Sequence, residues 1–447
     1  MSTQEKTPLS FEKLKNIAHH ILDFSKKQGA TDAEVSISNG LGFTTQVRLG
    51  EVETLEYHRS KGIGITVYFG QKKGTTSLSA IEETALNEAV SAACHIAKYT
   101  SEDNCAGLIE KKFLAFNYPD LKLFYPWSIT PEQGIELAKE VENIGRAYDK
   151  RISNSEGATL STHENHFVYA NSIGFCGHYS SSFYNLNCTL IANENDRMQR
   201  DYGYSIARDP LELFSAKEIA KEAATKVLRR LGAKKLSTRK TPVIFSSNVS
   251  PALISHFLAA IRGSNLYRKS SFLCDYLEKP VFPSHIQIRE EPFIIKGLAS
   301  APFDDEGATP RPRDLIHQGI LKSYFLNSYT ARKLGMEPTG NAGGIHNILV
   351  SHSADTFEEL LKKMDTGLVI TELMGQGINL VNGDYSRGAT GFWVEKGEIQ
   401  YPVEEITIAG NLKNMFMGIL AIGTDIEKRS SIQTGSILID EMTIAGE

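Results

Sequence analysis

The chain has 447 residues, 41% of them hydrophobic and 23% charged, with 48 Lys and Arg against 53 Asp and Glu for a formal charge of -5. A hydrophobic share of this size excludes a disordered chain, and ordinary Gly and Pro usage excludes a fibrous one. The length allows about two to four domains at roughly 100–200 residues each, and the mildly acidic balance lacks the basic footprint of a protein that wraps nucleic acid.

In chain order, Ser10 precedes a segment over residues 11–27 with Leu14, Ile17, Ala18, Ile21 and Phe24 at helical spacing, stopped by Gly29. Strand-like stretches follow at 33–38, 43–49, 54–58 and 62–69, the first two separated by Asn39-Gly40, a hairpin-type dipeptide. Residues 79–99 read as a second helix with Glu82 and Glu83 in its first turn. The same order then recurs. Thr130-Pro131-Glu132 opens a helix to about Tyr148, strands are expected at 151–155, 159–163, 166–170 and 177–193, and a helix over 216–231 closes at Gly232. Val35-Ser36-Ile37-Ser38-Asn39-Gly40 resembles Ile152-Ser153-Asn154-Ser155-Glu156-Gly157, so an internal duplication is expected, joined by a connecting loop over 111–127.

The charged stretch 234–240 marks a boundary between an N-terminal α+β domain, residues 1–235, and a strand-rich C-terminal domain, residues 236–447. Beyond it come a β-rich run at 241–246, a helix over 251–262, brief helices near 356–364 and 411–420, and many short strands with glycine-rich corners. That texture suggests a twisted or barrel-like sheet. The overall class is α+β: an antiparallel sheet with flanking helices, then a barrel-like domain.

Five cysteines (Cys94, Cys105, Cys176, Cys188 and Cys274) have no C-x-x-C spacing and do not make an even secreted framework, so they read as reduced, buried small hydrophobes. The polar segment 1–15 lacks the apolar core of a secretion signal, and no apolar run approaches about 18 residues. A cytoplasmic protein is expected.

Residue chemistry alone announces no active site. A zinc protease helix carries two His on one face with a Glu between them, but the helix over 251–262 carries only His256. His163 and His166 point to opposite faces of a strand, and the four residues His163-Glu164-Asn165-His166 read as a polar hairpin tip. His346 and His352 could share a strand face as a ligand pair. Asp304-Asp305-Glu306-Gly307 with Arg311 and Arg313 reads as a solvated loop whose charges satisfy one another, with acid/base work as the alternative. No phosphate-binding glycine loop or nucleophile elbow is present.

Several phrases of the second half are nevertheless specific. They include Tyr267-Arg268-Lys269-Ser270-Ser271-Phe272, Pro302-Phe303-Asp304-Asp305-Glu306-Gly307, Gly343-Gly344-Ile345-His346-Asn347, and Gly383-Asp384-Tyr385-Ser386-Arg387-Gly388-Ala389 with Gly391-Phe392-Trp393. Together these closely resemble the TldD/PmbA metalloprotease family, on its PmbA (TldE) side. The resemblance implies a subunit of a cytoplasmic zinc metalloprotease that trims unstructured peptides, working as a dimer. Its catalytic members carry an H-E-x-x-x-H helix and a later Cys as metal-site groups. Here His256 falls on the first His, Phe257 replaces the Glu, Ile261 replaces the second His, and Thr434 stands near the Cys position. The expectation is therefore a non-catalytic half that binds no cofactor, with zinc in a TldD-type partner (heterodimer) or with a second copy as partner (homodimer). The expected ligand is an unstructured peptide, without a membrane and without direct nucleic-acid contact. Gly343, Gly344, His346, Tyr385 and Arg387 are the substrate-binding candidates, through strand addition at a sheet edge. The alternatives are a regulatory protein modulating DNA gyrase, and a homodimeric peptidase using His346 and His352.

Overall fold

The computed structural model describes residues 9–195 and 197–446, so the part of the N-terminal reading that falls on residues 1–8 lies outside the described residues. No helix among the described residues is long and apolar enough to cross a membrane.

Helix α1 (Phe11–Lys27) starts where the Ser10 hydroxyl accepts the Lys13 N–H, and Gly29 follows it at φ 89°. Three strands come next, β1 (Asp32–Arg48), β2 (Glu51–Phe69) and β3 (Lys72–Leu78), followed by α2 (Glu83–Tyr99). The order repeats as α3 (Pro131–Arg146), β4 (Ile152–Asn171), β5 (Cys176–Glu194), β6 (Arg197–Ala207) and α4 (Ala216–Arg229). Both α3 and α4 open with a capping box, Thr130 with Gln133 and Ser215 with Glu218. All six strands form one antiparallel sheet in the order β3-β2-β1-β4-β5-β6. The two copies meet where β1 runs antiparallel to β4, from Glu34↔Asn171 to Val47↔Ala158. The duplication is thus built into the topology, with an approximate two-fold axis at that seam. Helices α1 and α2 cover Val35, Ile37, Ile63 and Ile65, while α3 and α4 cover Phe43, Val47, Leu160 and Leu190.

Three sequence expectations are corrected here. Asn39-Gly40 is not a turn, and the short strand-like stretches around it fuse into long strands. The glycines there serve close approach instead: a Cβ on Gly42 would lie 2.0 Å from the Thr162 carbonyl oxygen, and one on Gly40 would lie 2.5 Å from Ser60 Oγ. The chain reverses at Leu49 and Gly50, whose N–H groups donate to the buried Glu142 carboxylate of α3 at 2.8 and 2.9 Å. His163 to His166 likewise lie inside β4 rather than at a hairpin tip, with Glu164 Oε1 accepting from Trp127 N at 3.2 Å.

The second half holds β7 (Arg239–Phe245), α5 (Ser250–Ala260), α6 (Gly263–Tyr267), β8 (Ile288–Glu291), β9 (Arg313–His317), β10 (Ile320–Leu321), α7 (Ser328–Leu334), β11 (Asn347–Val350), α8 (Phe357–Met364), β12 (Gly367–Met374), β13 (Asp384–Glu395), β14 (Glu398–Asn411), α9 (Leu412–Met417), β15 (Ile419–Ile422), β16 (Ile432–Gln433) and β17 (Ile437–Ala445). One sheet runs β14-β13-β12-β7-β17-β15, and β14 also pairs with β17, which closes a barrel. The central strands β7 and β12 are apolar on both faces because both are covered. Val243, Phe245, Leu368 and Ile370 join the core cluster that contains α5, whereas Ile244 and Val369 face α8 through Leu360, Leu361 and Met364. A smaller sheet, β10-β9-β8-β11-β16, lies beside it.

The stretch 234–240 is not a loose tether. Lys234 N donates to the Pro402 carbonyl at 2.9 Å, and Arg239 already belongs to β7. The connecting loop 111–127 is sewn to the second half, with Ala115 N on the Gly307 carbonyl at 2.9 Å and Lys296 N on the Leu121 carbonyl at 3.0 Å. At this joint the buried Phe303 ring meets Tyr118 at 5.0 Å and both Phe175 and Tyr179 at 5.4 Å. Replacing Phe303 with Ala should lower stability by about 3–5 kcal/mol, the usual cost of emptying a buried aromatic site. Urea unfolding checks this; a loss under about 1 kcal/mol would mean that the ring is not part of a packed joint.

Candidate functional site

The site begins with α5. Pro251 stands in its first turn, and Ser250 Oγ donates to the Gly435 carbonyl at 2.9 Å, tying the helix start to the segment that carries Thr434. Leu253, Ile254, Phe257 and Leu258 are buried, whereas Pro251, Ala252, Ser255, His256 and Ala259 lie along a face that is only partly covered. Phe257 packs at 5.1 Å from the Phe282 ring and 6.2 Å from Phe416, and Ile261 is fully buried. Thr434 is also buried, and its hydroxyl donates to the Gly435 carbonyl at 3.2 Å. A catalytic zinc takes about three protein ligands and keeps one open position. Helix α5 offers one imidazole. Among the described residues, no three His, Cys, Asp or Glu side chains come together in a way that could hold a metal. The residues present do not fit a catalytic zinc.

His256 faces β13. Its ring centroid lies 5.8 Å from that of Tyr385, in an edge arrangement, and Arg387 stands next along the same strand face. His256 Nε2 and Tyr385 Oη are both buried without a hydrogen-bond partner. Burial, and then the Arg387 charge, push the His256 imidazole down to about 4. Burial pushes the Tyr385 phenol up to about 12, with Arg387 pulling against it. Arg387 reaches the Met374 carbonyl through Nε at a long 3.5 Å, its side chain also lies against the Tyr385 phenol, and it has no carboxylate partner among the described residues.

The other candidates lie elsewhere. Gly343 and Gly344 line a cavity of about 240 Å³ with Arg262, Asn327, Thr330 and Asn341, and none of His256, Tyr385 and Arg387 borders it. Gly343 has φ 87°, and a Cβ there would lie 2.1 Å from an Asp305 carboxylate oxygen, so only glycine fits. His346 is buried behind this edge. Its N–H and Nδ1 meet Glu290 Oε1 at 3.0 and 2.9 Å, while Arg313 Nη2 holds Glu290 Oε2 at 2.7 Å. Burial would raise Glu290, but the His346 hydrogen bond and the Arg313 charge hold it below the usual carboxylate range. His352 is exposed, with its Nδ1 on the Ser353 carbonyl at 2.7 Å, so it does not join His346 in a ligand pair.

The solvated-loop reading of Asp304 to Arg313 is also corrected. Asp304 is buried and takes three backbone N–H groups, from Glu306, Ala308 and Ala342, at 2.8–2.9 Å. Burial and the Glu306 charge push it up to about 8 against those three donors. Glu306 accepts from Ser328 N and Oγ, both at 2.9 Å. These acids shape loops and do not pair with Arg311 or Arg313. The buried Glu290 clamp had no sequence signal beyond an acid within a short strand.

A closed barrel with a buried helix packed against it, fastened to a duplicated α+β sheet, defines the class, and comparison with known proteins gives the family. Models described as PmbA/TldA metallopeptidase domain 1, central domain and C-terminal domain match residues 33–97, 124–231 and 238–446. The metalloprotease PmbA of Escherichia coli O157:H7 is 48% identical over 415 residues, covering 93% of this chain and 92% of that protein. A crystal structure from Bacteroides thetaiotaomicron, described as a candidate modulator of DNA gyrase, superposes with a TM-score of 0.92 at 26% identity, covering 98% of this chain and all of that one. TldE from Thermococcus kodakarensis shares the fold, with a TM-score of 0.83 at 20% identity over 97% of this chain and 100% of that chain. The chain belongs to the PmbA/TldD metalloprotease family.

Two outcomes follow from the site. Because His256 stays neutral in the fold and takes a proton more readily when unfolded, its contribution to stability is full above about pH 6.5 and is lost as pH falls through about 4. Histidine-ring NMR should place its midpoint near 4, and a midpoint near 6.5 would contradict the buried placement. Glu290→Ala should cost about 3–5 kcal/mol in chemical denaturation by leaving Arg313 buried and unpaired; a neutral result would mean the clamp is not formed.

Proposed function

We propose that this chain is the non-catalytic half of a cytoplasmic TldD/TldE-type zinc peptidase, with residues 1–235 and 236–447 as its two domains. Its partner is a zinc-bearing TldD-type homologue, and its substrate is an unstructured peptide. The observation that carries this reading is the inner face of α5. Where a catalytic helix needs a base and a second imidazole, Phe257 and Ile261 are packed into the barrel core, leaving His256 alone. A desolvated single imidazole beside a guanidinium neither gathers a divalent cation nor activates a water.

In this account the chain completes the substrate chamber. An extended peptide docks at the cavity beside Gly343 and Gly344, where main-chain groups can hold it with little regard for sequence; strand addition at Tyr385 and Arg387 is excluded, because β14 pairs with β13 on one side and β12 with residues 377–378 on the other. Trimming of unstructured peptides follows from such a binding mode, because a folded chain has no free strand to offer.

The test is reconstitution. The purified chain is assayed on an unstructured peptide alone, then with a zinc-bearing TldD-type homologue. Cleavage by the mixture and none by the chain alone is expected. Cleavage by the chain alone would overturn the assignment.

A further inference from the structure

We propose that the cavity beyond the carboxyl ends of β7 and β12 binds a carboxylate with a small apolar tail, such as a single ring on a short chain. The cavity lies on the α8 side of the barrel sheet, and neither His256 nor Gly343 borders it. It is a second site, separate from the peptide cavity.

The space measures about 200 Å³ and opens where the end of α4 meets the barrel. Strands β7 and β12 run parallel here, from Leu368↔Val243 to Ile370↔Phe245, and the next residues, Ser246 and Thr371, line the opening. Ligand cavities recur at such places, where strands end and two halves of a protein meet. The walls are hydrocarbon: Val369 and Phe392 are buried, with Phe357 and Ile399 packed beside them. An apolar cavity of about 150 Å³ holds benzene, so this one takes a ring with a short tail.

Five charged side chains line the space, and four are already engaged. Lys226 Nζ meets Glu222 at 2.7 Å. Arg230 meets Glu372 at 2.7 Å and Asp201 at 3.4 Å. Asp425 accepts from Ser436 N at 2.9 Å and from Ser436 Oγ at 2.7 Å. Arg229 is the exception. It is exposed, lies 4.9 Å over the Phe392 ring, and has no ion pair or hydrogen bond among the described residues. An exposed arginine without a partner is ordinary, but one stacked on the wall of an apolar cavity is not. The stack fixes the guanidinium plane and leaves its N–H fork unspent.

The uncharged polar groups divide in the same way. Ser246 Oγ donates to the Ile370 carbonyl at 2.7 Å, and Asn248 Nδ2 to the Thr371 carbonyl at 2.9 Å. Thr371 itself is a bulge residue, between Ile370↔Gly391 and Glu372↔Thr390, and its hydroxyl makes no hydrogen bond among the described residues. Apolar walls, one uncommitted guanidinium and one uncommitted hydroxyl match a ligand with an apolar body, one negative charge and two acceptor oxygens. A cation meets no uncommitted acid. A neutral ring fills the walls but leaves Arg229 and Thr371 to water, and a polyanion asks for more than one uncommitted cation.

The test uses the full chain with labelled Val and Ile methyl groups, titrated with 3-phenylpropionate and with its neutral counterpart 3-phenylpropanamide. The Val369 and Ile399 methyl signals should shift and saturate with the acid, and the amide should bind at least fivefold more weakly. Because Arg229 is exposed, that preference should shrink as salt is raised. Arg229→Met, at an exposed helix end, should bring the acid down to the affinity of the amide and leave the amide unchanged. A tetrapeptide ending in a free phenylalanine separates two sources of the same group. Acid-selective shifts of the same methyls with it assign the site to peptide ends, and binding of the small acid alone assigns it to a free acid. Equal affinity for acid and amide, methyl signals that stay still at millimolar acid, or an acid preference that survives Arg229→Met would refute the site.

Discussion

A helix whose main face is sunk in a hydrophobic core has no solvent to fall back on there. Each side chain on α5 that points inward must find packing, a hydrogen bond or a ligand, because an unsatisfied polar group is costly in that setting. The chain meets this constraint almost wholly with hydrocarbon. Leu253, Ile254, Phe257, Leu258 and Ile261 join the same core as Val243, Phe245, Leu368 and Ile370 of the surrounding strands. His256 is the exception, and its depressed protonation and orphaned Nε2 are the physical signs of a polar residue kept at an apolar address.

The N-terminal sheet matters to this arrangement because it supplies the surface against which the barrel half is held. Arg208 donates to the Gly297 and Leu298 carbonyls at 2.8 Å, and Arg332 reaches back to the Cys105 and Gly107 carbonyls at 2.8 and 3.0 Å. Arg429 adds a bidentate pair with Glu222 of α4 and sits 4.4 Å over the Tyr204 ring. Such planar, charge-assisted contacts fix orientation as well as position. The two halves are consequently one packed body rather than beads on a string.

Much of this was legible in the residues. Capped helices were the easiest: α1 and α3 begin where Ser10 and Thr130 predict, because a side-chain cap is a local event. The duplication was legible from helix order and from the likeness of the β1 and β4 entries. Strand lengths were not, since Gly40 and Gly42 look like turn residues until the neighbouring strand that presses on them is known. Of the site, the family resemblance singled out Phe257, Ile261 and Thr434, and all three are buried. The company of His256 was not legible: Tyr385 and Arg387 lie about 130 residues away and meet it only through barrel closure. The buried roles of Asp304 and Glu290 were equally hidden, because a carboxylate's partners here are backbone N–H groups and distant side chains that composition cannot show.

The claim on which the account turns is that the interior of this barrel half packs rather than coordinates. Elemental analysis of the purified chain, equilibrated with zinc and then freed of loosely held ions by gel filtration, addresses it directly. The account predicts far less than one zinc per chain, with no change on replacing His256 by Ala. One tightly held zinc per chain, lost in the His256→Ala protein, would contradict it.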